Sequence, residues 1–145
     1  MNQPALLDVN LLIALFDPDH VHHEPAHLWF GAHKTAGWAT CPLTENGLVR
    51  ILSNPSYSPA AERPAKIAGR LRAFCESGHH LFWPDDVSLR DSGRFDLAVG
   101  HRKLTDVYLL ALAVAHEGRL ATFDRSIPLK CVPSAAPRSL VVIEA

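Results

Sequence analysis

The sequence predicts an α/β fold built round a mostly parallel sheet of five strands. Short apolar runs of strand character alternate with longer stretches of helical period, and no repeat or low-complexity segment interrupts them. The length of 145 residues suits one substantial core, so residues 1–145 are expected to form a single domain.

Ala5-Leu6-Leu7 reads as a first buried strand, and Asn10 to Phe16 as a short helix stopped by Asp17-Pro18-Asp19. A second helix begins at Pro25 and runs to about Ala32. Gly37 to Cys41 is the second strand, followed by a helix from about Leu43 to Leu52 that ends before Asn54-Pro55. From Ala60 to Glu76 the spacing of Ile67, Leu71, Phe74 and Cys75 predicts a helix with Gly78 as its stop signal. His80 to Trp83 is the third strand, and Pro84-Asp85-Asp86 turns the chain away. Ser88 to Arg102 is weakly patterned, whereas Thr105 to Glu117 is strongly helical, with Thr105 as N-cap and Gly118 as C-cap. Leu120 to Phe123 is the fourth strand, and Leu140 to Ile143, beyond a proline-rich connection, is the fifth.

Composition excludes several classes of protein. Apolar residues make up 48% and charged residues 20%, and no stretch approaches the roughly 20 apolar residues of a membrane span. The opening Met1-Asn2-Gln3-Pro4 has no basic leader character, so a cytoplasmic protein is expected. Cys41, Cys75 and Cys131, an odd number without CxxC spacing, read as reduced and mostly buried thiols. A net charge of −1 gives no broad footprint for nucleic acid, so a polyanion would have to be held locally or through metal ions.

Four acids stand where acids are unusual. Glu45 precedes Leu48, Val49 and Leu52 by three, four and seven positions, and Asp106 precedes Leu109, Leu110 and Ala113 in the same way, so both carboxylates share the apolar stripe of their helix. Asp8 and Asp124 close strands. Ligands of open α/β sheets bind outside the carboxyl ends of the strands, which is also where the following helices begin. Each acid taken alone also fits a first-turn helix residue, a cap or a turn former. Taken together they repel, by ~3 kcal/mol for two like charges at ~5 Å and an effective dielectric near 20. Hard divalent cations, Mg²⁺ or Mn²⁺, are the natural neutralisers of such an oxygen donor set. One or two such ions can bind a phosphodiester, activate water and stabilise the leaving oxygen.

The same residues resemble the PIN-domain ribonucleases, specifically the VapC-type toxins of prokaryotic toxin-antitoxin modules. Leu6-Leu7-Asp8-Val9-Asn10 is similar to the first acidic motif of that family, and Thr44-Glu45-Asn46-Gly47-Leu48-Val49-Arg50 to the second. The block Thr105-Asp106-Val107-Tyr108-Leu109-Leu110-Ala111-Leu112-Ala113, followed by Leu120-Ala121-Thr122-Phe123-Asp124-Arg125, is similar to the third and fourth in order and spacing. The resemblance implies a three-layer α/β/α, Rossmann-like fold and metal-dependent cleavage of RNA. It also implies a homodimer and a cognate antitoxin whose C-terminal segment fills the acidic pocket with a basic side chain. By this resemblance Asn10 and Thr122 support the four acids, although both residues equally suit a turn and a strand. Ile127-Pro128 departs from the family, where many relatives carry an aromatic residue.

Three alternatives compete. His23-Glu24-Pro25-Ala26-His27 matches the HExxH pattern of zinc metallohydrolases, but Pro25 belongs at a helix start and is expected to leave His23 outside the regular turn. A metal-free ribonuclease could draw an acid and a base from the nine histidines and would leave a cyclic phosphate. A catalytically silent PIN module that binds RNA or protein is the third. Among basic residues, Arg102, Lys103 and Arg125 flank the acids and are the expected phosphate contacts. Trp29, Trp38 and Trp83 are expected in the core.

Overall fold

The computed structural model describes residues 3–145. Five strands, β1 (Ala5–Leu7), β2 (Trp38–Thr40), β3 (His80–Phe82), β4 (Arg119–Thr122) and β5 (Leu140–Val142), form one sheet in the order β3-β2-β1-β4-β5. Every pairing is parallel. The strands are short because each needs only to cross the core, and β1 is buried throughout, as expected of a strand covered on both faces.

Successive side chains of a strand point to opposite faces, and the core divides accordingly. Ala5, Leu7, Trp38 and Ala121 pack with Leu11, Leu12, Leu48 and Ile67 on one face. Leu6, Ala39 and Leu120 pack with Val107, Leu109 and Leu110 on the other. Helices α1 (Val9–Phe16), α2 (His23–His33), α3 (Pro42–Leu52) and α4 (Pro64–Cys75) cover the first face, and α5 (Leu104–Ala115) covers the second. This is the three-layer α/β/α arrangement.

Several expected boundaries move, each for a local reason. The helix expected from Ala60 starts at Pro64, because Arg63 before a proline is held extended at φ −67°, ψ 150°. Thr105 is not an N-cap. α5 runs on from a 3-10 turn at His101–Lys103, so Thr105 lies exposed in its first turn and no side chain caps the helix. His23 begins α2 instead of standing outside it, since Pro25 falls in the first turn, where a helix needs no amide hydrogen. Gly118 is not the left-handed C-cap either. That conformation belongs to Glu117, with φ 58°. The Glu117 amide reaches the Val114 carbonyl (3.0 Å) and the Gly118 amide the Ala113 carbonyl (2.8 Å), which is a Schellman closure. Gly118 is required for space: a Cβ there would lie 2.6 Å from both the Pro4 carbonyl oxygen and the Trp83 ring.

Trp38 and Trp83 are buried and Trp29 packs against the core. Val107, Leu109 to Ala113 and Leu71 are buried, and Tyr108 and Phe74 pack partly buried against the core. The exposed large apolar side chains include Leu81 and Phe82 on the edge strand β3, and Val21 and Leu28 at α2. Cys41, Cys75 and Cys131 are free thiols, the first and last buried and Cys75 half-buried. Among the described residues no helix is long and apolar enough to cross a membrane.

Candidate active site

The parallel register brings the strand ends to one edge. Leu7 pairs with Ala121, so Asp8 and Thr122, the next residues on each chain, are neighbours there. Asp8 is 5% exposed and caps α1: its Oδ1 accepts from the Val9 amide at 2.7 Å. Its Oδ2 accepts from the Thr122 hydroxyl at 2.8 Å and from Asn10 Nδ2 at 3.4 Å. The Thr122 oxygen in turn accepts from Asn10 Nδ2 (3.0 Å) and from the Asp124 amide (3.0 Å), and Asn10 Oδ1 accepts from the Phe123 amide (3.2 Å). The two neutral residues therefore tie Asp8 to the β4 end and fix which way its carboxylate faces.

Asp106 enters from the first turn of α5, which begins at the same edge. Burial pushes its carboxyl up to about 6, and the charges of Asp8 and Asp124 add to the effect, with Lys103 opposing it. Asp8 is also raised, chiefly by burial, against the lowering bonds from Thr122 and Val9. Asp124 is lowered, because the Ser126 hydroxyl (2.6 Å) and amide (2.8 Å) both donate to its Oδ1. Lys103 Nζ lies 3.4 Å from Asp124 Oδ2 and also bonds Ser126. Three aspartates thus come together, Asp8 and Asp106 raised chiefly by burial and Asp124 lowered by its Ser126 donors. Three carboxylates offering only oxygen donors, two of them raised by burial and by neighbouring carboxylate charge, fit a hard divalent cation.

A PIN-domain family model matches residues 5–131, a span that holds all three aspartates and Glu45. The chain belongs to the PIN-domain family. Its similar proteins in Mycobacterium tuberculosis include Ribonuclease VapC44, 45% identical over 141 residues that cover 96% of this chain and 99% of the relative. Ribonuclease VapC39 is 48% identical over 125 residues (85% and 90% of the two chains), and Ribonuclease VapC38 is 48% identical over 123 residues (85% and 86%). This PIN domain is thus of the VapC type.

Glu45 of this PIN domain has a different set of hydrogen-bond partners. From the first turn of α3 its Oε2 accepts a hydrogen bond from the Thr40 hydroxyl at 2.7 Å, and the Thr40 oxygen lies 2.7 Å from His80 Nε2. The single hydroxyl proton goes to Glu45, so His80 Nε2 must carry a hydrogen and donate it to Thr40. Cys75 Sγ is 3.5 Å from the same nitrogen. Ser126, Thr40 and His80 were not singled out in the sequence. Ser126 has a readable signal, an Asx turn two residues after Asp124.

The expected phosphate contacts separate. Lys103 sits beside Asp124, Arg102 is exposed, and Arg125 pairs with Glu144 at 2.6 Å on the surface. The HExxH histidines also find other work: His23 Nδ1 lies 2.7 Å from the Ala14 carbonyl and His27 Nε2 2.9 Å from that of Leu15. These carbonyls end α1 and lack partners within it, so the pair caps a helix terminus. That role, rather than a zinc site, accounts for their spacing. Beside the starts of α3 and α5 runs an apolar groove lined by Leu43, Val87, Leu89, Leu104 and Tyr108. Asp85 braces it, accepting from the Leu43 amide (3.0 Å) and the Tyr108 hydroxyl (3.1 Å).

Proposed function

We propose that this protein is a divalent-metal-dependent endoribonuclease, the toxin of a toxin-antitoxin pair, in which Asp8, Asp106 and Asp124 hold Mg²⁺ or Mn²⁺ and Glu45 completes the four-carboxylate site. The observation that carries the reading is the convergence of three aspartates at the carboxyl edge of the sheet, with Asp106 pushed up to about 6. The naming of its relatives as ribonucleases supports RNA as the substrate. One residue set positions and another binds. Asn10 and Thr122 orient Asp8, Ser126 holds Asp124 Oδ1, and Lys103 supplies a positive charge beside Asp124 for the scissile phosphate. Arg102 and Arg125 are outer phosphate contacts, Arg125 once released from Glu144. When bound, the ion supplies Lewis acidity and lowers the pKa of a coordinated water, the chemistry of in-line phosphodiester hydrolysis.

The reading extends to partners. The protein acts as one PIN-like domain over residues 1–145 in the cytoplasm, as a homodimer, and is silenced by an antitoxin segment whose basic side chain enters the acidic pocket. The apolar groove beside α3 and α5 suits the rest of that segment.

Wild-type protein and Asp8→Asn are compared on structured and single-stranded RNA with Mg²⁺, Mn²⁺ or excess EDTA, and the product ends are mapped. Cleavage is expected to need the metal, to leave 5′-phosphates and to fall by more than the roughly 10- to 100-fold typical of removing an outer partner. Cutting that persists in EDTA sinks the metal mechanism. No cutting by either protein favours the silent binding module.

A further inference from the structure

Behind Glu45 lies a donor set of different chemistry. One ligand atom each from Glu45, Cys75 and His80 lies within 4.8 Å of the other two. They come from the first turn of α3, the last residue of α4 and the first of β3. Between the latter two the chain reverses through two left-handed residues, Gly78 at φ 119° and His79 at φ 65°. A non-glycine residue is uncommon in that region and persists where its surroundings impose it. The reversal sets Cys75 and His80 side by side.

We propose that Glu45, Cys75 and His80 form a zinc-binding site, chemically distinct from the all-oxygen aspartate site. Thiolate, imidazole and carboxylate are the donors zinc takes, at about 2.3, 2.0–2.1 and 2.0–2.2 Å, so tetrahedral ligands stand roughly 3.3–3.7 Å apart. The 3.5 Å between Cys75 Sγ and His80 Nε2 matches, and the third ligand needs only a small side-chain shift. Three protein donors leave the fourth position for water. Magnesium, which demands oxygen, gains nothing from the thiol. All three side chains are half-buried, so an ion can reach them. Loading requires His80 to move its hydrogen to Nδ1 and the Thr40 hydroxyl, 2.7 Å from Nε2, to swing off the freed lone pair so that the ion can take its place. Cys75, whose thiol burial pushes up to about 11, gives its proton to solvent as the sulfur–zinc bond forms.

Glu45 belongs to both sites, so zinc at this one keeps it from the aspartates and restrains the nuclease. That consequence rests on the proposed function, whereas the zinc binding does not.

Cobalt(II) serves as the spectroscopic probe, since sulfur ligation gives a charge-transfer band in the near ultraviolet, and circular dichroism checks that each variant is folded. The band is expected to saturate at one cobalt per chain, to bleach on adding zinc, to survive Asp8→Asn and to vanish in Cys75→Ser. His80→Gln, which also serves if Cys75→Ser does not fold, should weaken cobalt binding about tenfold or more. No band in folded wild-type protein, or a band that persists in Cys75→Ser, overturns the site. In a magnesium-driven RNA assay, one equivalent of zinc should lower wild-type cleavage about tenfold while the ratio for Cys75→Ser stays near one. Equal zinc sensitivity of the two overturns the restraint through Glu45. A protein that shows the band and never cuts RNA refutes the nuclease reading while supporting the zinc site.

Discussion

Asp106 carries the clearest electrostatic consequence of the site at the scale of single residues. Its carboxyl titrates at about 6 in the fold against an ordinary value of 3.8. Between those pH values the unfolded chain gives up a proton that the native state keeps, so this group's contribution to stability falls as pH rises from about 4 to about 6 and stays low above. Asp124 works in the opposite sense: its lowered carboxyl favours the fold above its ordinary range, and that contribution is lost on acidification. In metal-free buffer Asp106→Asn should therefore melt higher than wild type at pH 7.5, with the gap closing towards pH 4. Thermal melts of the two proteins across that range test this, and a gap independent of pH would show that Asp106 is not under this strain. The same scale separates the supporting residues. Thr122 donates to Asp8 and accepts from Asn10 and the Asp124 amide, so one hydroxyl serves three partners. Thr122→Val removes them together, and the unmet acceptor and donors should cost about 1–3 kcal/mol. The melting point and RNA cleavage should fall together in that variant; an unchanged melting point would mean that water replaces the hydroxyl at no cost.

Among the elements, α5 and its closure are the most informative. The Schellman turn requires a left-handed residue, and Glu117 fills that position although Gly118 stands next to it. Left-handed geometry costs an ordinary L-residue roughly 1–2 kcal/mol, partly offset by the greater unfolded-state freedom of glycine. Glu117→Gly is expected to stabilise the protein by up to about 1 kcal/mol, or roughly 2–4 °C in Tm for a chain of this size. Gly118→Ala should do the reverse, because the added methyl meets the Pro4 carbonyl and the Trp83 ring. A scanning melt of both variants separates the two roles of the turn, and a destabilised Glu117→Gly would contradict this division. Helix α1 shows a different solution to a helix end. His23 and His27 from α2 meet its last carbonyls, so a pattern that reads as a metal motif in one dimension is an inter-helix cap in three.

At the scale of the whole molecule, the three aspartates of the site hang on three different elements, β1 with α1, α5, and the turn after β4. An ion held among them would clamp the two faces of the sheet together and stabilise only the folded chain. Added Mg²⁺ or Mn²⁺ should raise Tm in a concentration-dependent way, the gain in stability being about 2.7 kcal/mol at a hundredfold excess over Kd. Differential scanning calorimetry with and without metal checks this, and Asp106→Asn should lose most of the shift. An equal shift in the variant would place the stabilising ion elsewhere. At this scale also lies the edge strand β3, whose Leu81 and Phe82 leave apolar surface open beside unpaired backbone.

The sequence by itself determined the order and type of the five strands and five α-helices, since buried parallel strands are apolar runs and amphipathic helices repeat every 3.6 residues. It also picked out the acids: Asp8 and Asp124 close strands, and Asp106 shares a stripe with Leu109 and Leu110, all features within a few residues of each carboxylate. Tertiary structure alone decided what lies across long separations. The pairing of β1 with β4 sets Thr122 against Asp8, 114 residues away, and the pairing of β2 with β3 brings His80 to Thr40 and so to Glu45. Nor could local spacing foresee that Glu45 would accept from Thr40, or that the two histidines of an HExxH pattern would be consumed by the end of α1. Local periodicity records which face of an element is buried, whereas the partner of a buried polar group is chosen by strand register and helix packing.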